Sequence, residues 1–254
     1  MGLVGLAVLL AAAVAVTFLV VDRPGGTAGA VDQSRPGPVL LVPGYGGSVA
    51  SLEPLAASLR ATGREVTIVA LPDQALGDLA DQATSLAAAA ESALDRTSAG
   101  SVDVVGYSAG GIVARLWVTE HGGATSVRRL VTLGSPHHGT DLAEFGPLVA
   151  GTCPVACQQL SPSSPLLARL DAEPLPAGPE YLSLWTDRDD VVVPPSSAVI
   201  DGVPSPSLQS VCPASQVRHG GLPTDPLVQR LVAQALTASP IPTWGPADCT
   251  GLTS

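Results

Sequence analysis

The chain contains no lysine: all twelve of the basic residues among its 254 are arginine. A nucleotide phosphate loop of the Gly-Lys-Ser/Thr type is therefore excluded. The arginines are scattered, and with a formal net charge of −10 and no basic cluster the composition argues against nucleic acid as a partner. Aromatic residues make up only 3%, so a core has to be built from Val, Leu and Ala within a hydrophobic content of 46%. There are four histidines, none at ligand spacing to any of the four cysteines, which argues against a metal site, and no cofactor is expected. No run of like charge and no internal repeat is visible. The surplus of Ala, Gly and Pro, with arginine in place of lysine, reads as GC-rich coding more than as a functional choice.

A length of 254 residues suits one α/β domain with a full core and leaves little room for two. Gly2 to Val21 is an uninterrupted apolar stretch with no amphipathic face, followed by Asp22 and Arg23. Such a stretch is long enough to cross a bilayer, and Ala28-Gly29-Ala30 reads as an A-x-A cleavage site. Residues 1–30 are therefore expected to be a signal peptide or an N-terminal membrane anchor, with both options open and membrane association through residues 2–21 in the second case. No cysteine closely follows the apolar run, so a lipoprotein anchor is not indicated. Residues 31–254 form the expected folded domain of an exported protein. Its cysteines, Cys153, Cys157, Cys212 and Cys249, are even in number and lie outside the strand-like runs, which fits disulfides in an oxidising compartment. Three pairings are open. The favoured one closes a small loop with Cys153–Cys157 and ties the C-terminal tail down with Cys212–Cys249.

The short apolar run Val39–Val42 reads as a buried strand, Glu65–Ala70, Val102–Val105, Val127–Leu133 and Tyr181–Trp185 read as further strands, and Ser207–Val211 as the last. Helical periodicity falls at Ser51–Ala61, Leu79–Leu94, Gly111–Glu120 and Pro226–Leu236. Strands alternating with helices imply a mostly parallel, doubly wound sheet with helices on both faces and no large cap domain. Between Gly134 and Pro179 the regularity fails, and that stretch reads as an ordered excursion.

The chemistry gathers around Gly106-Tyr107-Ser108-Ala109-Gly110, where a strand ends and a helix begins. A serine flanked by glycines on so sharp a turn presents its hydroxyl above the sheet. A hydroxyl is a weak nucleophile until an imidazole takes its proton, and the imidazole needs a carboxylate to fix its tautomer. His219 is the only histidine far downstream and falls in a loop between the last strand and the last helix. The acid is sought in Thr186-Asp187-Arg188-Asp189-Asp190, just after a strand. Asp189 is preferred because it precedes the aliphatic Val191-Val192-Val193-Pro194 patch; Asp190 ranks second and Asp187 third. Two N–H groups should hold the oxyanion: that of Ala109, after the nucleophile, and that of Tyr45, in the Pro43–Gly47 turn after the first strand.

Three segments carry a family resemblance: Leu41 to Gly47 (Leu-Val-Pro-Gly-Tyr-Gly-Gly), Val105 to Gly111 (Val-Gly-Tyr-Ser-Ala-Gly-Gly) and Thr132 to Thr140 (Thr-Leu-Gly-Ser-Pro-His-His-Gly-Thr). Together they resemble the secreted bacterial lipases and esterases of the α/β-hydrolase superfamily, close to class 2 triacylglycerol lipases. The third segment is the most discriminating. The resemblance runs from about Pro38 to Leu236, with Asp189 and His219 where the family's acid and base would fall. Pro43 departs from it, since many relatives have histidine there. The resemblance implies an α/β-hydrolase fold, and it implies that His137 and His138 shape the site without acting as bases. His121, at the end of the helix after Ser108, reads as a helix-terminus cation.

The expectation is a monomeric serine hydrolase that cleaves carboxylic esters, with lipid esters implied by the resemblance. Its cleft would be covered in part by Phe145 to Leu160. An acyltransferase or thioesterase on the same three residues is the rival within enzymes. A catalytically inactive surface binding module is the rival outside them.

Overall fold

The computed structural model describes residues 31–144 and 152–253. The expected export segment, residues 1–30 with the apolar run 2–21, lies outside them, as do residues 145–151 of the segment expected over the cleft. Five strands build the sheet: β1 (Val39–Val42), β2 (Val66–Ile68), β3 (Val102–Tyr107), β4 (Val127–Leu133) and β5 (Glu180–Leu184). The helices are α1 (Glu53–Ala61), α2 (Leu79–Thr97), α3 (Ala109–Glu120), α4 (Val155–Gln159), α5 (Pro165–Ala172), α6 (Leu208–Val211), α7 (Pro226–Thr237) and α8 (Cys249–Thr253).

All pairings are parallel, in the order β2-β1-β3-β4-β5. Continuous apolar runs such as Val39-Leu40-Leu41-Val42 form strands of this kind because a parallel sheet covered by helices buries both faces. Leu40, Val42, Val104 and Leu130 point towards α2 and α3, whereas Val39, Leu41, Val105 and Val131 point towards α1 and α7. Each fully buried side chain of this size stabilises the fold by roughly 2 kcal/mol of apolar transfer. The chain runs from β1 outward to β2, then crosses back to β3 and continues to β5. Strand order thus reverses between β1 and β3, and the crevice beyond their C-terminal ends is where such sheets place their ligand sites.

Several boundaries move relative to the sequence reading. α3 begins at Ala109 and not Gly111, because the helix starts directly from the Ser108 turn despite two poorly helix-forming glycines. Ser207–Val211 is not a strand. Ser207 makes a single bridge to Trp185, and its side chain then accepts the Ser210 N–H at 3.1 Å, capping the short helix α6. The irregular excursion after Gly134 contains α4 and α5, the latter capped by Ser164 with Pro165 in its first turn.

One polar feature lies inside what the sequence presents as an apolar strand. Asp103 of β3 is fully buried, accepting from Arg128 Nε at 2.9 Å, Arg128 Nη2 at 2.6 Å and Arg64 Nη2 at 2.5 Å. Arg128 also donates to the Gln33 and Leu236 carbonyls, and Arg64 to that of Gly37. The two guanidiniums pin the segment before β1 and the end of α7 against the sheet. Both favoured disulfides form, Cys153–Cys157 and Cys212–Cys249. Two such bridges suggest an extracellular protein. Among the described residues no helix is long and apolar enough to cross a membrane.

Candidate active site

Ser108 sits between β3 and α3 with φ 54° and ψ −128°, a conformation that costs a residue with a Cβ about 1–3 kcal/mol. Hydrogen bonds on both sides hold it there: its N–H donates to the Leu133 carbonyl at 2.8 Å, and its carbonyl accepts from Gly111 N–H at 3.0 Å. The flanking glycines are required by close approach. A Cβ on Gly106 would lie 2.5 Å from Gly111 Cα, and one on Gly110 would run into the Val42 carbonyl.

His219 opens a short 3-10 turn, His219–Gly221, and is almost wholly buried. Its Nε2 is 3.0 Å from Ser108 Oγ, and its Nδ1 is 2.8 Å from Asp189 Oδ2. With Nδ1 donating to the carboxylate, the Nε2 lone pair faces the serine hydroxyl. The other carboxylate oxygen, Asp189 Oδ1, accepts the N–H groups of Val191 at 2.9 Å and Val192 at 2.8 Å. Asp190 turns away to the surface, where Arg218 binds it at 3.1 Å and holds its carboxyl below the usual carboxylate range. Asp187 is exposed, and its N–H is taken by the Gln209 side chain. Of the three candidate acids the structure brings only Asp189 to His219.

The two N–H groups expected to face an oxyanion are placed by two different devices. Ala109 is the first residue of α3, so its N–H has no acceptor within the helix. Tyr45 occupies the first central position of a turn closed by the Gly47 N–H on the Gly44 carbonyl at 3.0 Å, which leaves the Tyr45 N–H outside the turn's own bond. Gly44 lets this turn press on the nucleophile: a Cβ there would stand 2.8 Å from Ser108 Cβ.

Two residues of the site escape the sequence reading. Tyr107 donates its hydroxyl to the His219 carbonyl at 3.2 Å, with the two rings 5.2 Å apart. Burial, reinforced by Asp189 and Asp190, pushes its pKa up to about 12, so it stays a donor through the neutral range. Gly134, at φ 54°, closes β4 beneath the acid–base pair, and a Cβ on it would fall 3.1 Å from Asp189 Oδ2 and 3.3 Å from His219 Nδ1. Its place after a strand and before Ser135-Pro136-His137-His138 was the available signal.

The remaining histidines lie elsewhere. His137 is fully buried, bonded through Nε2 to Thr132 Oγ1 at 3.1 Å, and burial holds its pKa well below 6.5. His138 spans Asp171 Oδ2 at 2.7 Å and the Val199 carbonyl at 3.0 Å. His121 is the C-cap of α3. Among the described residues no cluster of three or more His, Cys, Asp or Glu converges as a metal site requires.

Beside Ser108 lies a cavity of about 250 Å³, walled by Tyr45, Pro136, Thr140, Leu142, Leu160 and Val191. Thr152 and Cys157 also line it, so the described part of the expected covering segment does border the cleft. A larger, more open hollow of about 870 Å³ near the Cys212–Cys249 bridge is lined by none of Ser108, Asp189 and His219, whereas Ser108 lines the smaller one.

Residues 38–167, just over half of the chain, match the sequence model of the family described as palmitoyl protein thioesterase. The match takes in the Tyr45 turn, Ser108 and the segment after β4, and it stops before Asp189 and His219. In fold the chain is similar to the mature lipase BlEst2 of Bacillus licheniformis, with a TM-score of 0.68 and 20% identity over 82% of this chain and 94% of that one. It is similar to lipase B of Aspergillus fumigatus, with a TM-score of 0.66 and 20% identity over 87% of this chain and 57% of that one. A pyrethroid hydrolase of Sphingobium faniae aligns at a TM-score of 0.52 and 14% identity over 80% of this chain and 98% of that one. At such identities the likeness establishes the α/β-hydrolase fold. No curated protein matches the chain in sequence.

Proposed function

The chain belongs to the palmitoyl protein thioesterase family, and on that premise we propose that it is a serine hydrolase that cleaves acyl esters of lipids through an acyl-enzyme on Ser108. One observation carries the reading: the unbroken chain from Ser108 Oγ to His219 Nε2 at 3.0 Å and from His219 Nδ1 to Asp189 Oδ2 at 2.8 Å. Ser108 Oγ attacks the acyl carbonyl carbon while its proton passes to His219 Nε2. The resulting oxyanion is held by the N–H groups of Tyr45 and Ala109. Collapse expels the alcohol, which takes the proton from His219, and leaves the acyl group esterified to Ser108. Water, deprotonated by His219, then attacks that ester, the bond to Oγ breaks as His219 returns the proton to Ser108, and the acid is released. Asp189 keeps the Nδ1–H in place and stabilises the imidazolium in both halves. The apolar cavity beside Ser108 suits an acyl chain, and the two disulfides fit work outside the cytosol.

The family match favours a second reading on the same groups, hydrolysis of thioesters. A thiolate leaves more readily than an alkoxide, so the two substrates differ in how much they need His219 as acid. Fluorophosphonate should label Ser108 in the folded protein, and absence of labelling removes the enzyme reading in favour of a binding module. Oxyesters and thioesters of one acyl chain should then both be hydrolysed, with the oxyester turned over at a rate well above background. Turnover of the thioester alone replaces the first reading by the second. Ester formation with an added alcohol outrunning hydrolysis identifies an acyltransferase.

A further inference from the structure

Behind the acid lies a further link that neither the motif nor the triad explains. Thr140 is buried at the end of the segment that follows β4, and its hydroxyl donates to the Val191 carbonyl at 2.7 Å. The same oxygen accepts the Val193 N–H at 3.0 Å, which fixes the direction of its single proton. The Val191 carbonyl and the Val192 N–H belong to one planar peptide unit, and that Val192 N–H donates to Asp189 Oδ1 at 2.8 Å. A continuous path therefore runs from Thr140 Oγ1 through one peptide group to Asp189, His219 and Ser108. Hydrogen bonds in series through a polarisable amide strengthen one another where water is excluded.

We propose that Thr140 is the positioning residue for the acid: its hydroxyl orients and polarises the 191–192 peptide, and that peptide holds the Asp189 carboxylate against His219. The proposal rests on the Ser108–His219–Asp189 reading. Backbone bonds lock the clamp at both ends. Thr140 N–H donates to the Leu160 carbonyl at 2.9 Å, and the Asp141 N–H donates to that of Val193 at 2.8 Å. Thr140, Val191 and Val192 also wall the cavity beside Ser108.

The test is kinetic and spectroscopic, on the folded protein with short p-nitrophenyl esters. Thr140→Val keeps the shape and removes the hydroxyl. It should lower kcat about tenfold, the scale of one lost hydrogen bond in a linked chain. Thr140→Ser, which restores the hydroxyl, should recover most of kcat. The low-field proton resonance of His219 Nδ1–H should weaken in Thr140→Val and return in Thr140→Ser, a readout that a packing defect alone would not move. In the Asp189→Asn background Thr140→Val should cost far less than it does alone. If Thr140→Val fails to fold, Thr140→Ala carries the same expectations. An unimpaired Asp189→Asn overturns the triad reading itself. An impaired Asp189→Asn beside an unaffected kcat in Thr140→Val overturns the role of Thr140 alone, as does equal damage from Thr140→Ser and Thr140→Val.

Discussion

Both carboxylate oxygens of Asp189 are occupied, one by His219 and one by two backbone N–H groups, and the side chain is only 2% exposed. Its neighbour Asp190 is 48% exposed and pairs directly with the exposed Arg218. Exposed pairs of that kind are worth little, whereas an acid that orients a base contributes to every turnover. Asp189→Asn is therefore expected to lower kcat by roughly 10³–10⁴, and Asp190→Asn to leave it nearly intact, both measured on p-nitrophenyl esters. The opposite ranking would move the acid to Asp190. In the sequence Asp189 was preferred through the aliphatic patch after it, and that patch supplies the Val191 and Val192 N–H groups. Tyr107 and Gly134 were not legible in this way. Tyr107 read only as the variable position of the nucleophile turn, and its use depends on a carbonyl that is 112 residues away.

At the scale of elements, the segment from Ser135 to Thr140 is a wall between β4 and the acid loop. His137 lies inside it, neutral, its pKa lowered first by burial and then by Arg115 and His138. Below about pH 6.5 the unfolded chain takes up a proton that the buried imidazole refuses, so stability falls as pH drops through that point. Thermal denaturation between about pH 6.5 and pH 5 should show a loss of up to about 1.4 kcal/mol per pH unit from this one group. His137→Gln should make the slope shallower over that range, whatever it does to stability at neutral pH. An unchanged slope would assign the loss to other groups. Elements with continuous apolar residues or strong periodicity, such as β1, α2 and α7, are legible because their own residues dictate burial. Ser207–Val211 was misread because five residues carry too little period to outweigh a capping serine.

For the whole molecule, the two disulfides close loops of very different length, with sequence separations of 4 and 37. The chain-entropy relation gives about 2 kcal/mol for the short loop and about 4 kcal/mol for the long one. Removing Cys212–Cys249 by paired alanine substitution should therefore lower Tm much more than removing Cys153–Cys157. A larger fall for the short bridge would locate its value in the cavity wall, where Cys157 stands. The alternation of strands and helices, the order serine, acid, histidine, and the family's segments were all present in the chain as written. These are local properties: a periodicity, a turn, a spacing. Which aspartate meets the histidine, which carbonyl the Thr140 hydroxyl meets, and why Asp103 is buried between Arg64 and Arg128 were decided only when distant segments met. Each of those choices depends on distances between groups far apart in sequence, and no local pattern encodes them.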